Sequence, residues 1–368
     1  NFGPRRRLQE VVITLDAEEE PEEFQRISKA EFASIDRRQL IDLIIGGGLW
    51  PLIRELPFRE AARPETTPPE IFVYLDNLDP FHPLPQVYLD GQGDLLAFGL
   101  RVLERLAEKP PVVTACRENA ERLANLKDRV NRPFTGNYPA HDPGVMLYRT
   151  KTSAAENHAW FIEGQDLLRI AELLLTGRFP TRRIVTIGGP AATQALHVRT
   201  RLGAPLASLT HGRMAAGDVR CVAGGVLTGN PAPKDSHLGP FETALVLLPE
   251  GNVPGELLAW TLPGAQVPSY SRAFLASFRR PREFPMDCNR HGGLRACIQC
   301  NFCTQVCPVD ILPQLAYKAI LAGEVEEALA HGLLDCVECG LCSLVCPSKI
   351  ELLQTLRTAR ETFSEEMS

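Results

Sequence analysis

Eight of the eleven cysteines in this 368-residue chain fall into two blocks of identical spacing. The first reads Cys297-Ile-Gln-Cys300-Asn-Phe-Cys303-Thr-Gln-Val-Cys307-Pro308; the second reads Cys336-Val-Glu-Cys339-Gly-Leu-Cys342-Ser-Leu-Val-Cys346-Pro347. Three thiolates set two residues apart can wrap three corners of an iron–sulfur cubane within one tight loop. The fourth follows after three more residues, at the start of a helix, and points away toward a neighbouring cluster, while the proline ends the loop. A pair of zinc sites is the competing chemistry, because Cys-x-x-Cys pairs also bind zinc. Zinc needs four ligands and leaves the third cysteine in register, and both prolines, without a reason.

The same spacing matches the run of two-cluster ferredoxins, in which the fourth cysteine serves the other cluster. It assigns cluster 1 to Cys297, Cys300, Cys303 and Cys346, and cluster 2 to Cys336, Cys339, Cys342 and Cys307. Sharing ligands in this crossed way brings two [4Fe–4S] clusters close together, as one-electron hopping requires. Cys288 and His291, just upstream, read as packing or surface residues rather than extra ligands. Cys116 and Cys221 lie in apolar surroundings and read as core thiols. Cysteines gathered this way indicate metal ligation in a reducing compartment, not a disulfide framework. No Ser/His/Asp set or paired carboxylates stand out, so no catalytic residue is assigned.

The elements around the blocks follow from periodicity. Residues 286–368 read as a helical two-cluster domain, with helices at Leu315–Leu321, Val325–Ala330 and Ile350–Phe363. Such domains also occur in subunits of succinate dehydrogenase and heterodisulfide reductase, so the cysteines identify chemistry and not family. Upstream, residues 29–200 alternate helical and strand patterns. Helices are expected in Ile35–Leu56 (broken at Gly46-Gly47-Gly48), Leu95–Glu108, Glu118–Leu126 and Gln165–Leu175. Strands are expected at Ile71–Leu75, Val112–Ala115, Val145–Tyr148 and Ile184–Ile187, giving an α/β layer with a largely parallel sheet. Residues 201–270 change texture. Short apolar runs at Val219–Ala223, Ala244–Leu248 and Leu257–Trp260 are separated by Gly, Pro and Asn, as in a small β-rich domain. Residues 271–285 form a basic linker with Arg272, Arg279, Arg280 and Arg282. Residues 1–28 read as a strand, Leu8–Leu15, and an acidic linker.

Composition narrows the class. The net charge of −6 argues against a nucleic-acid partner. No apolar run reaches the 18 or so residues of a membrane span, so any membrane role comes through a partner. The start at Asn1 is expected to be trimmed or incomplete, and no signal peptide is evident.

Several stretches carry a family resemblance. Gly48-Leu49-Trp50-Pro51 with Arg54-Glu55-Leu56-Pro57-Phe58, Ile71-Phe72-Val73, Leu78-Asp79-Pro80, Gln165-Asp166, Gly188-Gly189-Pro190 and Arg199-Thr200-Arg201-Leu202-Gly203-Ala204 resemble the A subunit of the Na⁺-pumping NADH:quinone oxidoreductase (Nqr). Each is weak alone; their order and spacing, from about residue 5 to the end, make the match fairly specific. The cysteine domain resembles the C subunit of the related Rnf complex, whereas the typical Nqr A subunit has lost these cysteines. The resemblance implies a multidomain α/β architecture. Its parts are a degenerate flavin/NADH-binding domain like the complex I flavoprotein, a β-grasp (SLBB-like) domain and the helical di-[4Fe–4S] domain. The family's N-terminal sandwich domain is represented only by Leu8–Leu15.

In the flavin-binding relatives a glycine-rich loop lets backbone N–H groups meet phosphate. The matching stretch is Leu43-Ile44-Ile45-Gly46-Gly47-Gly48-Leu49-Trp50-Pro51, where Leu43 and Ile45 replace glycines and read as helix interior. A second flavin-contacting segment falls at Glu163-Gly164-Gln165-Asp166, where the acid would repel phosphate. FMN is therefore not expected. Gly188-Gly189-Pro190, Gly224-Gly225 and Gly229 read as turns, and Trp50, Trp160 and Trp260 as core.

The function expected is electron transfer within an Nqr/Rnf-type complex, by a subunit peripheral on the cytoplasmic face of the cell membrane. Its partners would be the other subunits, with a ferredoxin or flavoprotein as donor. Two alternatives stand beside it. One is a soluble flavin-dependent NAD(P)H or ferredoxin oxidoreductase, and the other a ligand-binding or scaffold subunit.

Overall fold

In the computed structural model, which describes residues 11–15, 20–28, 30–123, 128–154, 156–251, 285–289 and 293–367, Asp36 starts the first helix. Its carboxylate accepts the Gln39 N–H at 2.8 Å while the Gln39 side chain accepts the Asp36 N–H, a reciprocal cap for α1 (Arg37–Gly46). Leu40, Ile41 and Ile44 form its buried face. The helix stops at the glycine run for a packing reason. A Cβ on Gly47 would lie 2.2 Å from Leu173 Cδ2, and Gly48 has φ +71°.

The chain then forms β1 (Arg54–Leu56), β2 (Glu60–Ala61), β3 (Ile71–Tyr74), α2 (Pro85–Tyr88), α3 (Gly93–Glu104), β4 (Val112–Cys116), α4 (Arg117–Arg122), β5 (Arg132–Phe134), α5 (Pro143–Thr150), β6 (Ala159–Glu163) and α6 (Gly164–Thr176). The six strands order as β2-β1-β6-β3-β4-β5, with β6, β3, β4 and β5 parallel and β1 antiparallel to β6. Ile71-Phe72-Val73 and Ala159-Trp160-Phe161-Ile162 are buried throughout, because helices and other segments cover both faces of a parallel sheet. Trp50 and Trp160 meet edge to face at 5.7 Å inside this core.

A second sheet comprises β7 (Arg182–Gly188), β8 (Leu196–Arg201), β9 (Val219–Ala223), β10 (Asn230–Ala232) and β11 (Ala244–Pro249), with a short helix α7 (Leu206–Thr210) between β8 and β9. Its order is β10-β9-β11-β7-β8; β11 and β7 are parallel and the other pairs antiparallel. Strand β7 and nearly all of β8 lie before residue 201, in the stretch read from sequence as part of the first domain, yet they hydrogen-bond into the second sheet. The C-terminal region is helical: α8 (Phe302–Gln305), α9 (Pro313–Ala322), α10 (Val325–Ala330), α11 (Leu341–Leu344) and α12 (Leu352–Met367).

Two expected strands are corrected. Val145–Tyr148 is helix, within α5, because Asp142 accepts the Gly144 N–H at 2.7 Å and Pro143 occupies the first turn, both helix-starting signals. In Leu8–Leu15, residues 11–15 form no strand and are exposed, having no partner strand among the described residues. Leu8, Leu257–Trp260, Arg272–Arg282 and His291 lie outside the described residues. Of Glu118–Leu126, only the part within Arg117–Arg122 is helix among the described residues.

Candidate metal centres

Two pockets in the C-terminal region each gather four cysteines. One is lined by Cys297, Cys300, Cys303 and Cys346, with Ile298, Ile350 and Leu352 around them. The other is lined by Cys307, Cys336, Cys339 and Cys342, with Val309, Ile311 and Leu356. Each block thus contributes three cysteines to one pocket and its fourth to the other.

The two blocks repeat their backbone as well as their sequence. Gln299 and Glu338, between the first two cysteines of each block, have φ +54° and +55°. Asn301 and Gly340, after the second cysteine, have φ +60° and +76° and cap the short helices α8 and α11. Asp310 and Lys349, three residues past the fourth cysteine, have φ +50° and +58°. Left-handed residues at these points fold the backbone around the sulfurs and turn N–H groups toward them. Val309 and Ile311 direct N–H groups at the Cys307 sulfur, Leu341 at Cys339 and Ser343 at Cys342.

Burial dominates the electrostatics of the second pocket. It raises the thiols of Cys307 and Cys336 above their ordinary range and pushes Cys339 up to about 12, with neighbouring sulfurs adding to the rise at Cys307 and Cys339 and N–H groups opposing it. Cys342 shifts the same way for the same first reason. Four buried thiolates repel one another and need cationic charge among them. Among the described residues no group of three or more His, Cys, Asp or Glu side chains could hold a single metal ion. Four thiols around an apolar pocket, with N–H groups aimed at the sulfurs, fit a cubane, whose corners each take one thiolate. Cys288 lies apart from both pockets, its N–H bonded to the Pro249 carbonyl at 3.1 Å. Cys221 is buried in the second sheet and Cys116 ends β4 half-buried, as structural thiols do.

The second pocket is built against the first domain by residues that the sequence did not single out for it. Val145 of α5 packs with Val309, Ile311 and Val337. Lys151 pairs with Asp335 at 2.5 Å, and the Tyr138 hydroxyl donates to the Cys339 carbonyl at 2.7 Å. From α12, Arg360 donates to the Cys336 carbonyl and pairs with Glu338, which also pairs with Arg357 at 3.0 Å. One signal for Arg360 was available: it continues the Leu352–Leu356 spacing of four onto the buried face of α12.

Beside this pocket lies a cleft of about 660 Å³, bordered by Tyr74 at the end of β3, Glu163 at the end of β6, Arg54, His82, His141, Phe241 and Glu338. It opens where chain order reverses between β3 and β6, the ligand-binding position of open α/β sheets. Leu43 and Ile45 are in α1, as expected, with Ile45 exposed. The expectation of a repelling charge at Glu163 needs adjustment. Burial, with Asp166 adding to it, pushes its carboxyl up to about 7, and Arg183 lies 3.7 Å away. Arg54 lies over the rings of Phe161 and Phe241 at 4.6 and 4.8 Å, and buried His141 Nδ1 has no hydrogen-bond partner.

Among the described residues no helix is long and apolar enough to cross a membrane.

Comparison with known proteins gives three matched segments. The profile described as "NqrA second alpha/beta domain" matches residues 35–179, "NQRA C-terminal domain" matches residues 184–233, and "4Fe-4S dicluster domain" matches residues 296–350. The A subunit of the Na(+)-translocating NADH-quinone reductase of Serratia proteamaculans is 35% identical over 337 residues, 91% of this chain and 75% of that protein. Its counterparts in Yersinia pseudotuberculosis and Saccharophagus degradans are each 32% identical, over 91% of this chain and 74% of theirs. A chain of an NAD⁺-reducing [NiFe]-hydrogenase aligns with TM-score 0.46 at 12% identity over 90% of this chain and 61% of its own, too loosely to carry an argument.

Proposed function

Because this chain belongs to the family of the A subunit of Na(+)-translocating NADH-quinone reductase, we propose that it relays single electrons through two [4Fe–4S] clusters within a membrane-bound redox complex. The observation that carries the reading is the pair of four-cysteine pockets, each drawing three cysteines from one block and one from the other. Cys297, Cys300, Cys303 and Cys346 would hold one cluster, and Cys336, Cys339, Cys342 and Cys307 the other.

A cubane supplies one-electron storage without making or breaking bonds to substrate. The chain's own part is to keep the sites dry, close and rigid. Apolar Ile350, Leu352, Val309 and Ile311 exclude water, and the N–H groups of Val309, Ile311, Leu341 and Ser343 favour the sulfur charge. Because each block serves both pockets, neither site can drift from the other without breaking its own ligand set. The donor is a ferredoxin or flavoprotein, the acceptor is a membrane subunit, and the chain docks on the inner face of the cell membrane.

The test is anaerobic purification of the native complex, identification of the proteins that accompany the chain, and reduction by candidate donors. The chain is expected to fractionate with membranes and to be released when its integral partners are deleted. A chain found wholly soluble and partner-free, whose clusters turn over with a small-molecule acceptor, would overturn the subunit reading.

A further inference from the structure

The two pockets have the same ligands and the same backbone, but different charged surroundings. Among the described residues, the lining of the Cys297 pocket contains no charged side chain besides the cysteines themselves. The Cys336 pocket has Glu338 in its lining, and behind it Arg360, which is 3% exposed. Arg360 donates to the carbonyl of Cys336 and ion-pairs with one oxygen of Glu338; Arg357 pairs with the other at 3.0 Å. Two cations thus share one anion beside the Cys336 carbonyl. Two nearby acids have their own cations, Asp142 with Arg59 at 2.7 Å and Asp335 with Lys151 at 2.5 Å.

Three residues oppose this asymmetry, and one of them, the exposed Arg295, donates to the carbonyl of Pro347 in the lining of the Cys297 pocket at 3.1 Å. Asp310 follows Cys307, which belongs to the Cys336 pocket, and Lys349 follows Cys346, which belongs to the Cys297 pocket. Arg295 and Asp310 are exposed and Lys349 partly so, so solvent and salt weaken all three charges. Arg360 acts through protein, where a charge at similar range is worth several times more. The buried charge wins.

We propose that Arg360, countered by Glu338, holds the reduction potential of the cluster at Cys336, Cys339, Cys342 and Cys307 above that of its twin, so that an electron shared by the pair rests there. Both are positioning residues that act through the charge they present to the ligand loop. Adding an electron makes a cluster more negative, a change that a fixed nearby cation favours and a fixed anion opposes. The resting site is the one next to the first domain, held by Tyr138, Val145 and Lys151. The other site, with Ile298 and Leu294 exposed close to its ligands, is then the one that loses its electron first. This inference rests on the two-cluster reading above.

The experiment is an EPR-monitored redox titration of the intact chain and its variants, with iron and sulfide measured on every sample. The signal of the Cys336 cluster is identified as the one that Cys339→Ser perturbs. Arg360→Gln should lower its potential by a tenfold or larger change in the one-electron equilibrium, about 59 mV. Glu338→Gln should raise it, and Arg360→Lys should leave it within about threefold. The signal of the other cluster should stay in place throughout. Opposite signs from two neighbouring substitutions are the decisive readout, since loosened packing would move both the same way. Should Arg360→Gln lose iron, Glu338→Gln decides alone by the direction of its shift. A wild-type chain without iron overturns both this inference and the cluster reading. A wild-type chain with full iron, in which the variants shift together or not at all, overturns this inference only.

Discussion

The hydroxyl of Tyr138 donates a 2.7 Å hydrogen bond to the carbonyl of Cys339, joining residues 201 positions apart in sequence. It ties the first domain to the loop that wraps the second cysteine pocket. Tyr138→Phe removes the donor and keeps the ring, leaving a half-buried carbonyl unpaired. We expect a loss of about 1–2 kcal/mol in anaerobic denaturant unfolding. Cluster bleaching in air should also quicken, and wild-type bleaching kinetics in the variant would refute the coupling.

Metal analysis addresses the ligand sets directly. Anaerobic protein is expected to hold about eight iron and eight sulfide per chain, and when reduced to show two interacting S = 1/2 centres. Cys307→Ser should damage the cluster of the second block, and Cys346→Ser that of the first. Damage confined to the substituted cysteine's own block would exclude the crossed arrangement, and stoichiometric zinc without iron would exclude clusters altogether.

Flavin chemistry is expected to be absent. Leu43 and Ile45 occupy helix α1 where flavin-binding relatives have glycines, and the following glycines end that helix against Leu173. The purified chain should neither retain FMN nor oxidise NADH. Stoichiometric FMN that NADH reduces, seen by absorbance, would reverse this expectation and favour the soluble flavin oxidoreductase.

Glu163 gives a pH signature. Burial raises its folded-state pKa to about 7, with Asp166 adding to the rise, above an ordinary value of 4.5. The folded protein therefore holds this proton more tightly than the unfolded chain does. The resulting stability is fully present below about pH 4.5 and is lost as pH rises through about 7. Glu163→Gln keeps the neutral form at every pH. Relative to wild type it should gain stability between about pH 5.5 and 8, by an amount no larger than about 3 kcal/mol. A wild-type-minus-variant difference that stays flat across this range would show that Glu163 is already ionised when buried.

The joint between the first two sheets rests on Asp79, which is 2% exposed. Its carboxylate accepts from the backbone N–H groups of Val226, Leu227 and Thr228, and from the Thr228 hydroxyl at 2.9 Å. Gly225 has φ +122°, and a Cβ there would lie 2.4 Å from Asp79 Oδ2. Gly225→Ala should cost about 2 kcal/mol or more in thermal unfolding. An unchanged melting temperature would mean that the turn can move off Asp79 freely.

The repeated cysteine spacing was enough, by itself, to point to iron–sulfur chemistry, because the ligation geometry of one block within a dozen residues is a local property. The crossed partition between blocks came from the match to two-cluster ferredoxins. The elements at Ile71–Tyr74, Val112–Cys116 and Gly164–Thr176 were legible because they too are local, since each has a periodicity that matches the strand or helix it forms. Local signals misled where a cap outweighed an apolar run, as at Asp142-Pro143 ahead of Val145–Tyr148. Only the tertiary structure decided that β7 and β8 belong to the second sheet, since a strand pattern does not name its partner. It alone also decided that Tyr138, Val145 and Lys151 meet the second cysteine block, and that Arg360 reaches Cys336 from another helix. Contacts of that kind depend on how distant segments pack, and the charge around otherwise identical ligand loops is set by such contacts.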